Sequence, residues 1–160
     1  MESESRLKEM LLRRSQTAEK SRQEAEERQR LEARKAAETA RILSQWRNRA
    51  AELQVAVGEL NEKIASNGMK LTMNQFEAKE SYAKAIAGAG VAHEQHTLHV
   101  HPRWSLSASV DREGRVRAIV GSMEGMKRPV VDFDVSEPSA ARWMELLLDY
   151  LDATIIAPNE

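Results

Sequence analysis

The sequence predicts an α+β fold in which a long N-terminal coiled-coil helix precedes a small α-βββ-α domain with a three-stranded antiparallel meander. Two patterns predict this arrangement. No proline occurs before Pro102 and no glycine before Gly58, and the residues from Ser3 to about Ala65 are mostly strong helix formers. From Leu98 onward apolar and polar residues alternate, which is the period of a half-buried strand.

The predicted N-terminal helix is roughly 95 Å long, at ~1.5 Å per residue. Charged residues make up 31% of the chain and aromatic residues only 4%, so much of the chain is not expected in a globular core. Because a small domain cannot bury a helix of this length, its apolar stripe needs another chain or a fold-back partner.

The apolar stripe has the 3.5-residue spacing of a left-handed coiled coil between residues 43 and 64. The predicted interface positions alternate between a and d of a heptad repeat: Leu43, Trp46, Ala50, Leu53, Val57, Leu60 and Ile64. Upstream the repeat weakens, since Gln29 and Glu32 occupy core positions while Ala36 and Leu11 still fit. The first ~35 residues are therefore a weak or frayed coil, a solvated single helix or a partner-dependent segment. A solvated helix face is the favoured interpretation of their charged residues.

The positions beside this seam are mainly basic, among them Arg47, Arg49 and Lys63. In a parallel homodimer these residues would meet neutral side chains such as Gln54 and Asn61. A partner with acidic flanking positions fits them better, so the sequence favours a heterotypic coil. The alternative is a homodimer whose arginines are solvated.

Asn67-Gly68 is predicted to end the long helix as a left-handed cap. A second helix is expected over Thr72–Ala87, and Gly88 and Gly90 are expected to stop it. The predicted domain organisation is therefore a coiled-coil helix over 1–67, a second helix and linker over 68–92, and a meander with a C-terminal helix over 93–160.

The meander is expected to contain a strand that ends at Val110, with its regular part after Pro102, then a hairpin loop at residues 111–114. The second and third strands are expected over Arg115–Met123 and Pro129–Val135. Ser136 is expected to cap the last helix, with Pro138 in its first turn. The side chains expected in the core or at a partner interface of this domain are Trp104, Leu106, Val131, Phe133, Trp143, Leu147 and Leu151.

Composition limits the classes of function. The chain contains no cysteine, and its net charge is −1, which gives no bulk attraction to nucleic acid or membrane. No stretch reaches the ~18 apolar residues of a membrane span, and no signal peptide is recognisable. We expect no cofactor and no catalytic site, because no pair of carboxylates or nucleophilic serine lies in a suitable context. His99 and His101 would share a strand face, but exposed strand histidines are a better explanation than a metal site.

The C-terminal half resembles the small RWD-like subunits of the four-subunit outer-kinetochore complex that attaches chromosomes to microtubules. The similarity lies in the order of a long coiled coil, three strands and a final helix, here WSLSASVDREG, RVRAIVGSMEG, PVVDFDVSEP and ARWMELLLDYLDA. It covers roughly residues 40–155. The resemblance implies a parallel coil with a sister subunit, and a groove that receives a short helix from a linker protein.

The sequence therefore predicts a non-catalytic structural subunit that assembles through a coiled coil and docks partner proteins through its C-terminal domain. An intracellular, soluble location is expected, at the kinetochore if the resemblance holds and in the cytoplasm otherwise. The alternative is a homo-oligomeric scaffold or spacer of a bacterial or viral assembly.

Overall fold

The computed structural model describes residues 1–78, 84–94, 104–122, 125 and 130–155. These residues form an α+β structure with a long helix, a five-stranded antiparallel sheet and a C-terminal helix. The chain divides into two compact units, Met1–Ala40 and Arg41–Glu160. The elements are α1 (Glu2–Ile64), a 3₁₀ turn (Ala65–Asn67), β1 (Leu71–Glu77), β2 (Ala85–His93), β3 (Trp104–Asp111), β4 (Arg115–Ser122), β5 (Val131–Asp134) and α2 (Ala140–Thr154).

The strands lie side by side in chain order, each antiparallel to the next. The predicted three-stranded meander corresponds to β3, β4 and β5, and the sheet has two further strands before it. The predicted hairpin loop is confirmed, because the Gly114 N–H donates to the Asp111 carbonyl at 3.1 Å and Gly114 has φ 83°. The earlier part of the first predicted strand, residues 98–103, lies outside the described residues.

The helix predicted over residues 72–87 is wrong, since β1 and β2 occupy this region. The alanines and glutamates that favour a helix locally are outweighed by pairing of β2 with a strand on each side. Gly88 lies inside β2 and does not end a helix. A Cβ atom there would overlap the ring of Phe76, which crosses over this glycine from β1.

The C-terminal helix begins later than predicted. Its N-cap is Ser139 and not Ser136, so Pro138 precedes the cap. Ser136 instead belongs to the turn after β5, where its N–H and hydroxyl donate to Asp134 Oδ1 at 2.9 and 2.6 Å. A short polar side chain fits an Asx-type turn as well as a helix cap, and the sequence alone does not separate the two.

One face of the sheet is buried under α2 and residues 42–64 of α1. It is lined by branched residues of the three middle strands, including Val91, Leu106, Val110, Val116 and Val120. The predicted helix end is confirmed in its glycine: α1 ends at Ile64, the 3₁₀ turn follows, and Gly68 adopts the left-handed conformation with φ 72°. The unit boundary at residue 40 differs from the boundary predicted at residue 67, because the C-terminal part of α1 belongs to the folded unit.

Candidate functional site

The residues predicted to form the coiled-coil seam lie in the hydrophobic core of the unit Arg41–Glu160. Trp46, Ala50 and Leu53 are at most 1% exposed, and Val57, Leu60 and Ile64 are also buried. Leu43 is half-buried at the edge of the core, and its neighbour Ile42 is fully buried in its place. The chain's own sheet and α2 cover these side chains, whereas the predicted seam placed them against a second helix.

The basic flanks of the stripe also find partners within the chain. The Arg47 guanidinium makes two hydrogen bonds to the Glu77 carboxylate in β1, at 2.9 and 3.2 Å. Arg49 Nη2 lies 3.0 Å from Glu52 Oε1. The two arginines that favoured an acidic partner chain are therefore paired with carboxylates of their own unit.

A polar junction joins α1 to the start of α2. Glu52 Oε2 accepts hydrogen bonds from the Ser139 N–H at 2.8 Å and the Ser139 hydroxyl at 2.6 Å. The indole N–H of Trp143 donates to the Arg49 carbonyl at 2.9 Å. Ser139 makes no capping bond with its own side chain, so Glu52 supplies the negative charge that a helix N-terminus favours. Here α1 is part of the folded unit by polar contacts as well as by burial.

The side chains predicted for the core or partner interface of the C-terminal domain are mostly core residues. Leu106, Phe133, Trp143, Leu147 and Leu151 are buried. The Phe133 and Trp143 rings meet edge to face at 5.5 Å between centroids. The two remaining predicted residues, Trp104 and Val131, are partly buried against the same core.

One histidine of the predicted His-rich segment is described. His93 Nε2 lies 2.9 Å from Thr154 Oγ1, and its ring lies 5.4 Å from that of Tyr150. Since the Thr154 hydroxyl donates to the Tyr150 carbonyl at 2.8 Å, its oxygen can accept a hydrogen bond from the His93 Nε2–H. Burial lowers the pKa of His93, which favours the neutral ring. This histidine therefore fits a structural role between β2 and α2.

The predicted metal candidates His99 and His101 lie outside the described residues. Among the residues that are described, no group of three or more histidine, aspartate or glutamate side chains is placed to hold a metal ion.

The outward face of the sheet carries mostly small side chains. A shallow cavity of about 460 Å³ lies there, lined by residues of the first three strands. Phe76 is exposed at its rim, above Gly88. The other lining residues are Asn74, Gln75, Ala89, Gly90, Ser107, Ala108 and Ser109.

The unit Met1–Ala40 presents the most exposed apolar surface of the described chain. Every residue from Glu2 to Glu38 is exposed, although all belong to α1. Five large apolar side chains on this segment are 51–58% exposed: Leu7, Met10, Leu11, Leu12 and Leu31. The sequence analysis treated this segment as weakly specified because it does not keep the heptad repeat of residues 43–64. The signal for a surface here is the group of apolar side chains near the start of the helix.

Comparisons of the chain with known protein families, with curated proteins and with solved structures find no match. None of the helices in the described part of the chain carries an apolar stretch that could cross a membrane. The candidate functional surface is therefore defined by geometry alone, and it is the exposed helical segment Glu2–Ala40.

Proposed function

We propose that this protein is a non-catalytic structural subunit that assembles with other helices through the segment Glu2–Ala40. The observation that carries the proposal is the exposure of every side chain from Glu2 to Glu38 in a continuous helix. Most of the stability of helices in proteins comes from tertiary packing, and a partner helix would supply the burial that this segment lacks. A protein that keeps such a segment gains a surface for association.

Self-association, which the sequence analysis kept as an alternative, is the form that we favour. The case for a different partner chain depended on the basic residues beside the stripe at 43–64. Arg47 and Arg49 form ion pairs with Glu77 and Glu52 of the same chain, so this charge argument no longer requires an acidic partner. A kinetochore location and a linker-protein helix stay predictions of the resemblance.

The experiment measures the size of the assembly that wild type and two variants form in the cells that produce the protein. A tagged full-length chain is fractionated by size as wild type, as Leu7→Glu/Leu11→Glu, and as Leu12→Glu. Leu7 and Leu11 lie one helical turn apart on one face, whereas Leu12 points about 100° away from Leu11. The three leucines are almost equally exposed, at 56, 56 and 58%, so the single variant is a matched control.

We expect the wild type and Leu12→Glu to elute in a particle larger than one chain, and the double variant to elute as a monomer. Circular dichroism of the purified variants checks that the folded unit is intact. Elution of the wild type as a monomer, or an unchanged particle for the double variant, would overturn the proposal.

A further inference from the structure

The exposed segment of α1 carries an 11-residue repeat in place of a heptad repeat. An 11-residue repeat gives about 3.67 residues per turn, so the seam runs almost straight along the helix. Leucine, methionine or alanine fills eight of its thirteen core positions, which are Leu7, Met10, Leu11, Arg14, Ala18, Ser21, Arg22, Ala25, Gln29, Glu32, Ala33, Ala36 and Ala40. All thirteen residues belong to α1, and all of them are exposed.

Large and small side chains are distributed unevenly along this seam. Both leucines, the methionine and the first arginine lie in its first half, and four of its five alanines lie in its second half. When two copies run antiparallel, with their centre between Gln23 and Glu24, five of the seven bulky seam residues face a small seam residue. The facing pairs are Leu7 with Ala40, Leu11 with Ala36, Arg14 with Ala33, Arg22 with Ala25, and Gln29 with Ala18.

The charged residues of the seam fit the same arrangement. Around the antiparallel centre, Arg14 lies on the same side as Glu32 of the second copy, and Arg22 lies on the same side as Glu26 of the second copy. Arg22 contacts Glu19 within its own helix, but both side chains are more than half exposed, so this surface pair contributes little. In this register a carboxylate of the second copy lies one residue from the position that faces each seam arginine.

A parallel pair places every residue opposite its own copy. Arg14 would then face Arg14, Arg22 would face Arg22 and Glu32 would face Glu32, and like charges across an interface are unfavourable. The alanines would also face alanines, which leaves gaps between the helices in the second half of the seam. Both charge and volume therefore select the antiparallel direction.

We infer that the partner of the segment Glu2–Ala40 is the same segment of a second copy of this chain, bound antiparallel about a two-fold axis between Gln23 and Glu24. This inference rests on the proposed assembly function and adds the identity, direction and register of the partner. The pair is an isologous interface, in which each contact occurs twice.

Distances between spin labels test the direction and the register. The full chain has no cysteine, so Ser5→Cys and Gln23→Cys each give one labelled site. These positions are 18 residues apart, which is five turns, so both labels point away from the seam at the same angle. In the inferred dimer the two Ser5→Cys labels are about 55 Å apart along the axis, at ~1.5 Å per residue. The two Gln23→Cys labels lie at almost the same position along the axis.

A parallel dimer would give nearly the same distance at both sites, and an antiparallel dimer of another register would lengthen the distance at Gln23→Cys. Either pattern overturns the inference while leaving assembly through this segment in place. The absence of an intermolecular distance in both labelled variants, Ser5→Cys and Gln23→Cys, also overturns the inference. The proposed function then stands or falls on the particle size in cells.

A charge exchange gives an independent readout of direction. Arg14→Glu places a carboxylate against Glu32 of the second copy, so we expect a smaller dimer fraction at the same chain concentration. Combining Arg14→Glu with Glu32→Arg restores the opposite charges and is expected to restore the dimer. In a parallel dimer the single variant only exchanges one like-charge pair for another. No loss with Arg14→Glu, or no recovery in the double variant, therefore contradicts the antiparallel pair.

Discussion

Glu52 shows how one side chain decides which part of α1 belongs to the folded unit. Its carboxylate accepts two hydrogen bonds from Ser139 at the start of α2 and pairs with Arg49, whose side chain is only 12% exposed. A carboxylate beside the N-terminus of a helix is favoured by the helix dipole. Because these contacts hold α1 and α2 together, Glu52 is expected to stabilise the folded unit and to have no part in assembly.

Replacing Glu52 with alanine tests this role. We expect Glu52→Ala to lower the free energy of unfolding by about 2–3 kcal/mol, because the Ser139 N–H and the Arg49 guanidinium lose their acceptor in a poorly solvated site. Urea denaturation of the purified chain measures the change. Glu59→Ala, an exposed position on the same helix, is the control and is expected to stay within about 0.5 kcal/mol of wild type. Equal stability of the two variants would show that the junction contributes little.

At the scale of the elements, β2 requires glycine at position 88 because the Phe76 side chain of the neighbouring strand β1 packs over it. The ring of Phe76 crosses over Gly88, and the Ala108 carbonyl oxygen would lie 2.8 Å from a Cβ atom at that position. Gly90 is two residues further along β2 and has far more space, since the nearest atom to its Cβ would be the Leu106 carbonyl oxygen at 3.9 Å. The two glycines therefore separate a steric requirement from a general effect of glycine in a strand.

Alanine at each position is expected to have opposite effects. Gly88→Ala should lower the free energy of unfolding by about 1–3 kcal/mol, because the backbone of β3 cannot move away from the added methyl group. Gly90→Ala should leave stability unchanged or raise it by up to about 1 kcal/mol, because alanine restricts the unfolded chain. Thermal and urea unfolding of the two variants measure the difference. A destabilised Gly90→Ala beside an unaffected Gly88→Ala would contradict the packing of Phe76 on β2.

Elements with strong local signals could be predicted from the sequence, and elements fixed by distant contacts could not. The hairpin between β3 and β4 follows from strict alternation and from Gly114 in the turn. By contrast, the sequence predicts a helix over residues 72–87, where Ala85 and Ala87 favour a helix locally, whereas the pairing of β1 with β2 is non-local. Ser136 and Ser139 are equally good caps by residue type, so the start of α2 required the contact of Ser139 with Glu52.

The candidate site shows a second limit of the sequence. The apolar stripe at residues 43–64 was recognised correctly as a surface that must be covered, and its residues are buried. A stripe of this kind specifies burial but not the partner, and a sheet and a second helix satisfy it as well as another coil. The exposed segment is weakly specified by the sequence because Arg22, Gln29 and Glu32 break the heptad repeat, although they occupy positions of an 11-residue repeat.

At the scale of the whole molecule, α1 combines two different roles in one continuous helix. Residues 42–64 are core residues of the unit Arg41–Glu160, and their burial does not require another chain. Residues 2–38 have no buried side chain, and their apolar groups are available for association. The two parts differ in what packs on them. The sheet and α2 of the same chain pack on residues 42–64, and the proposed partner of residues 2–38 is a second copy.

Amide hydrogen exchange along α1 at low and high chain concentration tests this division most directly. We predict that residues 42–64 are protected to the same degree at every concentration, because their core lies within one chain. Residues 5–38 should exchange quickly in dilute solution and become protected as the concentration rises and the segments associate. Protection of residues 42–64 that disappears on dilution, or fast exchange of residues 5–38 at every concentration, would contradict the two roles assigned to the helix.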